Sequence, residues 1–106
     1  MYLKFSGLQV RKLIDREITE TVILQRNDLQ ANDSLPIMID NTVLSDYYCR
    51  IRGIRKASVD DVTLYDLNRM GFRNFREFMQ YLKWFHGLEE EQLFYLVRFR
   101  LCSFKS

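Results

Sequence analysis

The residues that best suit a chemical task lie between Tyr47 and Lys56. This stretch has two tyrosines at its start, no acidic residue, and four basic residues: Arg50, Arg52, Arg55 and Lys56. A strand that presents alternate arginines beside a tyrosine is suited to binding phosphates and stacking a base. The other interpretation is a solvated strand face whose charges prevent edge-to-edge association. The sequence alone leaves both interpretations open.

Other basic residues enlarge this candidate surface. Arg98 and Arg100 end the last predicted strand and are expected near the same patch. Lys4, Arg16 and Arg26 are expected around a cleft between the sheet and the first helix. The candidate nucleic-acid-binding residues are therefore Lys4, Arg16, Arg26, Tyr48, Arg50, Arg52, Arg55, Lys56, Arg98 and Arg100. Each of them is equally compatible with being an isolated surface charge.

Metal, disulfide and membrane chemistry find little support in the sequence. His86 is the only histidine and no CxxC or HxxxH spacing occurs, so neither a metal site nor a cofactor is predicted. Cys49 and Cys102 are predicted to be buried thiols in a reducing compartment, although a disulfide between neighbouring strands stays open. The N-terminus has no signal peptide, and no apolar run approaches the ~18 residues that a membrane helix needs. We expect a cytoplasmic protein without a membrane partner.

Length and composition indicate one domain spanning residues 1–106. The 106 residues are 47% apolar and 14% aromatic, which is enough to form a hydrophobic core. The formal net charge is +2. This charge permits a polyanionic partner but does not require one, because binding depends on where the charges cluster.

Hydrophobic periodicity and cap residues predict the elements that position these side chains. Strands are predicted at 2–5, 19–25, 35–39, from 42 or 44 to about 54, and 92–101. Helices are predicted after Ser6, from Ser58 to Gly71, and from Asn74 to Gly87, since these residue types cap or stop helices. The order of elements predicts an α+β fold. We expect about five or six mostly antiparallel strands in a curved sheet or small barrel, with three helices.

The third predicted helix and its flanks are rich in aromatic residues. We expect this helix to bury one apolar face, formed by Phe75, Phe78, Met79, Leu82 and Phe85. Phe72 is also expected in the core, Trp84 against the sheet, and His86 in a local hydrogen bond. The three glutamates at 89–91 are expected to form a solvated loop.

Four short motifs occur in an informative order along the chain. They are Leu3-Lys4-Phe5-Ser6 before a helix, Asn32-Asp33 before a strand, Gly71-Phe72 followed by Phe75-x-x-Phe78, and Leu96-Val97-Arg98-Phe99 in the last strand. Their order and spacing resemble those of ASCH domains, which are small β-barrels of the PUA-like superfamily linked mostly to RNA. The resemblance covers nearly the whole chain and implies a single ASCH-like domain with this barrel and an RNA ligand.

The reactive motif of catalytic ASCH domains is altered in this chain. Amidohydrolase members use the Lys and Thr of a Gly-x-Lys-x-x-Thr-x-Arg motif together with a later Glu. Here Asp15 stands at the Gly position, Glu17 at the Lys position, and the Glu position falls near Met70. Thr19 or Thr21 replaces the motif's Thr only in a shifted register. A carboxylate cannot take over the role of an amine in activating a hydroxyl, so the resemblance implies a degenerate active site.

Three functional hypotheses follow from the sequence and the resemblance. The first is a non-catalytic domain that binds RNA or another nucleic acid through the basic strand and the neighbouring cleft. The second is a protein-interaction module, an inhibitor or adaptor of the kind that viruses often encode. The third is weak ribonuclease or amidohydrolase activity on RNA or modified nucleosides, centred on Thr19 or Thr21.

Overall fold

The computed structural model describes residues 1–89 and 92–104. The strands are β1 (Leu3–Phe5), β2 (Glu20–Ile23), β3 (Ser34–Ile39), β4 (Thr42–Ala57) and β5 (Phe94–Ser103). The helices are α1 (Val10–Ile14), α2 (Leu64–Met70) and α3 (Phe75–His86). Short 3-10 turns at Gly7–Gln9 and Val59–Asp61 precede α1 and α2. The predicted α+β class is confirmed.

The five strands form one mixed sheet in the order β1-β3-β4-β5-β2, curved nearly into a barrel. β1 runs parallel to β3, while the other neighbouring strands are antiparallel. The last strand, β5, is central as predicted, because it pairs with both β4 and β2. β4 is longer than predicted and contains a bulge between Ile51 and Gly53. A bulge bends and twists its strand, which helps the sheet to curve.

Two hydrophobic clusters lie on the two sides of this sheet. The inner cluster fills the barrel and includes Phe5 and Phe99, whose rings meet edge to face at 5.7 Å. The outer cluster lies between the sheet and α2 and α3, where Phe78 contacts Phe94. Along β5 these clusters take alternate residues, as the sequence alternation predicted. Across residues 1–89 and 92–104, no helix is long and apolar enough to cross a membrane.

The helix termini agree with the cap prediction except at the start of α2. Ser6 forms its capping box with Gln9, and the side chain of Asn74 accepts a hydrogen bond from the Glu77 amide at 3.0 Å. The predicted start of the second helix at Ser58 is wrong, because Ser58 caps only the preceding 3-10 turn. Thr63 caps α2 instead, and its hydroxyl accepts from the Asp66 amide. Two capping boxes therefore follow each other closely in this segment.

Two aromatic side chains lie outside the core that the sequence predicted. Trp84 is 82% exposed, because it lies roughly 200° around α3 from the buried Leu82. Phe75 is 39% exposed, since it occupies the first turn of α3 at the rim of the outer cluster. His86 does form the expected local hydrogen bond, with the Tyr81 hydroxyl at 3.0 Å. Of the predicted acidic loop, Glu90 and Glu91 lie outside the described residues.

Substitution of two helix-ending glycines tests the packing of α2 on the barrel. Gly71 and Gly87 both adopt left-handed backbone, with φ of 84° and 64°. A Cβ at Gly71 would lie 3.1 Å from Cγ1 of the buried Ile18, whereas a Cβ at Gly87 would meet no atom within 4 Å. We expect Gly87→Ala to lower the free energy of unfolding by about 1–2 kcal/mol through backbone strain alone. Gly71→Ala should lower it by more, because overpacking adds to the strain.

Urea denaturation of both variants beside the unchanged chain measures this difference. If both substitutions lower the free energy of unfolding equally, the side chain of Ile18 can shift without an energetic cost. The packing of α2 against the barrel would then be loose.

Candidate nucleic-acid interface

Four of the predicted binding residues share the outer face of β4 and β5. Arg50 is the cross-strand partner of Arg100, and Arg98 lies two residues from Arg100 on the same face. Arg55 pairs with Leu96, which belongs to the outer cluster, so Arg55 points to this face too. The term arginine face denotes these four residues: Arg50, Arg55, Arg98 and Arg100. All four are exposed.

The arginine face places like charges beside one another. Like charges directly opposite on neighbouring strands are destabilising, by roughly 0.2–1 kcal/mol. Within residues 1–89 and 92–104, Arg50, Arg98 and Arg100 form no salt bridge that would offset this repulsion. Arg55 differs, because it is bonded to Asp66 at 2.6 Å. Three arginines therefore remain available for an anionic ligand.

The remaining candidate residues of the basic stretch do not all point to the same face of the sheet. Tyr48 is half-buried on the same face, opposite Cys102. Arg52 lies at the bulge, without a cross-strand partner on β5, and is exposed. Lys56 pairs with Tyr95, which packs against the inner cluster, so Lys56 points away from the arginine face. The bulge thus explains why a simple alternation does not hold along this strand.

The three other candidate residues do not join the arginine face. Arg26 donates a hydrogen bond from Nε to the Leu29 carbonyl at 2.9 Å, within the loop between β2 and β3. Arg16 follows α1 and reaches back towards the Ile14 carbonyl. Lys4 lies on the edge strand β1, in a cavity of about 690 Å³ that His86 also lines. Burial, and secondarily the Lys4 charge, lowers the pKa of His86 to about 4, so this histidine is neutral at pH 7.

Next to the arginine face lies a buried acid cluster that the sequence analysis did not identify. The term denotes Glu20 on β2, Asp66 and Arg69 on α2, and Arg55 on β4. Arg69 contacts Asp66 at 2.7 Å and lies 3.7 Å from a carboxylate oxygen of Glu20. Glu20 is the cross-strand partner of Arg98, yet Arg98 is exposed while Glu20 has no accessible surface. The cluster therefore joins α2 to two strands of the sheet, β2 and β4.

The two carboxylates of this cluster have opposite protonation behaviour. Burial, and then the negative charge of Asp66, raises the pKa of Glu20 to about 7, while Arg69 only partly opposes the shift. Burial also disfavours the charge of Asp66, but hydrogen bonds from Thr63 and Arg55 outweigh it and hold the pKa of Asp66 far below its usual range. The backbone amide and the hydroxyl of Thr63 donate to Asp66 at 2.9 and 3.0 Å. Asp66 is therefore charged at pH 7, and Glu20 is near its midpoint.

Glu20 is poorly accommodated by its surroundings. Among the described residues, neither of its carboxylate oxygens has a hydrogen-bond partner, and Nε of Arg69 is also unsatisfied. Buried polar groups without partners are costly, and the few that native proteins keep call for an explanation. A carboxyl that titrates near pH 7 has suitable acid–base chemistry, but a substrate cannot touch a side chain that has no accessible surface. In this conformation the cluster can exchange a proton and hold α2 on the sheet.

A sequence signal for Glu20 did exist. In the Gly-x-Lys-x-x-Thr-x-Arg alignment that begins at Asp15, Glu20 occupies the Thr position. It also interrupts a β-branched strand with a charge. Glu17, at the Lys position, is exposed and lines a cavity of about 600 Å³ between α1 and α2, together with Lys12 and Arg73. Thr21, one of the two alternative hydroxyls, is buried.

Comparisons with known proteins give evidence on the fold. No protein-family model and no curated protein sequence matches the chain. A crystal structure of an ASCH domain from Lactobacillus crispatus JV V101 superposes with a TM-score of 0.63 at 15% identity, covering 94% of this chain and 80% of that one. The chain has the fold of an ASCH domain. Protein EF3133 from Enterococcus faecalis V583, described with the family DUF984, matches with a TM-score of 0.68 at 12% identity, covering 97% and 82%.

The ASCH-like fold confirms the predicted barrel class and accounts for the order of the sequence motifs. At these identities the comparison concerns the fold alone. The arginine face is a property of this chain's own residues.

The pH dependence of stability tests the buried acid cluster. The ordinary pKa of Glu20 is 4.5 and its folded value is about 7, so folding favours the protonated form. The stability that Glu20 contributes is therefore complete below about pH 4.5 and is lost as the pH rises through 7. We expect Glu20→Gln to remove this loss. At pH 8 the variant should have the higher free energy of unfolding, by up to about 3 kcal/mol.

Asp66→Asn serves as the matched comparison, because it also replaces one buried carboxylate by an amide. It should lower stability at pH 8, since Arg55 and Arg69 lose their charged partner. Urea denaturation at pH 5 and pH 8 measures both variants. A Glu20→Gln variant that is less stable than the unchanged chain at pH 8 would show that Arg69 holds Glu20 in its charged form.

Proposed function

We propose that this chain is a non-catalytic nucleic-acid-binding domain whose ligand lies on the arginine face. The observation that carries the proposal is the pairing of Arg50 with Arg100, two exposed arginines directly opposite each other. Their mutual repulsion has a cost in the free protein. A phosphate between them removes that cost and accepts charge-assisted hydrogen bonds from both guanidinium groups. Arg98 adds a third positive charge along the same strand face.

The resemblance to ASCH domains favours RNA among the polyanions. It is an argument from the fold and does not identify a sequence preference. The arginine face supports the same choice, because phosphate contacts position a nucleic acid without reading its bases. The net charge of +2 is small, so affinity has to come from this local cluster and not from the charge of the whole chain.

The absence of catalysis in this proposal rests on charge. Glu17 has the wrong sign to take a proton from a neighbouring hydroxyl in place of a lysine, and Met70 has no acid–base chemistry. Glu20 has the chemistry but no accessible surface. Retained activity on RNA or modified nucleosides would require Thr19 or Thr21. Thr19→Val/Thr21→Val should then abolish turnover, whereas the present proposal expects no cleavage by the unchanged chain.

Charge removal on the arginine face tests the proposal. In Arg50→Gln/Arg100→Gln, two cations that would bind phosphate are removed while side-chain polarity is kept. We expect single-stranded RNA to bind at least tenfold more weakly. The slope of log affinity against log salt should become shallower by about 0.7 for each phosphate that is no longer neutralised. Fluorescence anisotropy across a salt series gives both quantities, and the same samples on a gel report cleavage.

Arg11→Gln/Arg76→Gln is the control, because it removes the same charge from two exposed arginines on α1 and α3. Its affinity and salt slope should stay close to those of the unchanged chain. If both double variants weaken RNA binding equally, the binding is a non-specific attraction between RNA and the positive charges of the protein. The arginine face would then not be the binding surface.

A protein-interaction module is the second candidate, favoured by exposed apolar side chains near α3. Leu8 and Trp84 are 95% and 82% exposed and line one largely apolar cavity of about 350 Å³. Exposed apolar patches of this kind often mark contact sites. This candidate predicts a bound protein that survives nuclease treatment and is lost from Trp84→Gln, as a pull-down would detect. An unchanged complex with Trp84→Gln would exclude this cavity as the contact.

A further inference from the structure

Beyond the arginine face, the same side of the sheet ends in a pair of aromatic rings. The ring centroids of Tyr48 and Phe104 are 4.7 Å apart, with the ring planes inclined by 41°. Phe104 is 68% exposed although its ring contacts Tyr48 on the sheet. The term aromatic pair denotes Tyr48 and Phe104. Sequence analysis included Tyr48 among the candidate residues but not Phe104.

The backbone holds the aromatic pair in place. Tyr48 lies opposite Cys102 in the β4–β5 ladder, two residues beyond Arg50. Phe104 follows the end of β5, but its amide still donates to the Asp46 carbonyl at 3.0 Å and so extends the pairing of the two strands. The two rings are therefore diagonal neighbours on one face, at a distance within reach of aromatic side chains. The pair borders a shallow cavity of about 470 Å³ formed with Ser34, Pro36 and Ser103.

The spacing of the arginine face and the aromatic pair suits a single strand. Residues two apart on a strand are separated by roughly 6.6 Å. The side chains at 98, 100, 102 and 104 thus form a row that changes from cationic to aromatic. A single strand can place phosphates against the arginines and turn a base outward onto a ring. A duplex cannot do so, because its bases are stacked inside the helix.

We propose that the ligand of the arginine face is a single-stranded nucleic acid, and that Tyr48 and Phe104 hold one of its bases by stacking. This inference rests on the proposed function and adds the class of ligand and a base-binding subsite. The stack is tolerant of sequence, because every base has a π face. Phosphate contacts and base stacking are available to both RNA and DNA. Matched RNA and DNA probes distinguish the two polymers.

The test compares four fluorescent 12-nucleotide probes on the unchanged chain: single-stranded RNA, single-stranded DNA of the same sequence, the RNA duplex, and an abasic strand. The abasic strand keeps the phosphates and removes every base. We expect the intact single strands to bind roughly 5- to 150-fold more tightly than the abasic strand. They should also bind more tightly than the duplex. A preference between the RNA and DNA strands identifies the polymer.

Two variants place the effect on the aromatic pair. Phe104→Ala removes an exposed ring, and Tyr48→Leu keeps an apolar side chain without a π face. Each should weaken binding of the intact single strand roughly 5-fold or more, leave the salt slope unchanged, and have no effect on the abasic strand. Tyr65→Ala, which removes a 77% exposed tyrosine from α2, is the control and should bind as the unchanged chain does. Equal urea midpoints for Phe104→Ala and the unchanged chain exclude unfolding as the cause.

The outcomes separate this inference from the proposed function. Salt-dependent binding that is abolished in Arg50→Gln/Arg100→Gln but not in Phe104→Ala or Tyr48→Leu would overturn the stacking site alone. Equal affinity for the abasic strand, or for the duplex, would also overturn it. If the unchanged chain binds none of the probes at low salt, the proposed function fails, and this inference fails with it.

Discussion

The attachment of α2 to the sheet depends on the carboxylate of Asp66. It accepts hydrogen bonds from Thr63 at the start of its own helix and from Arg69 one turn later, and it pairs with Arg55 of β4. One buried charge thus completes the capping box of the helix, joins the helix to the longest strand, β4, and holds Arg69 close to Glu20 on β2. A buried carboxylate is tolerated when cations and donors surround it in this way, and removing either side leaves an uncompensated charge.

The same attachment explains why a poorly satisfied glutamate remains in the core. With α2 held by Asp66, Glu20 is closed off from solvent beneath the helix, close to a second carboxylate and 3.7 Å from the nearest guanidinium nitrogen. Its protonation near pH 7 relieves the repulsion between the two acids. Glu20 therefore makes the helix–sheet junction sensitive to pH near 7.

The helix–sheet junction divides the outer face of β4 and β5 into two parts. At the start of β5, α2 and α3 cover Phe94 and Leu96. Farther along β5 the helices do not cover this face, and its exposed residues are the arginines followed by the aromatic pair. The uncovered strand face retains the charge and the rings that a nucleic-acid ligand requires.

The sequence by itself determined the class of fold, the helix stops at Gly71 and Gly87, and the alternation of β5, because these depend on backbone conformation and on periodicity along the chain. It also indicated Arg50, Arg98 and Arg100 as candidates. Tertiary structure decided which of them meet, since register and the bulge at Arg52 place Arg50 opposite Arg100 and turn Lys56 away. It alone decided the burial of Glu20 and the exposure of Trp84 and Phe104. Burial depends on which elements cover a side chain, and that is a property of contacts between residues far apart in sequence.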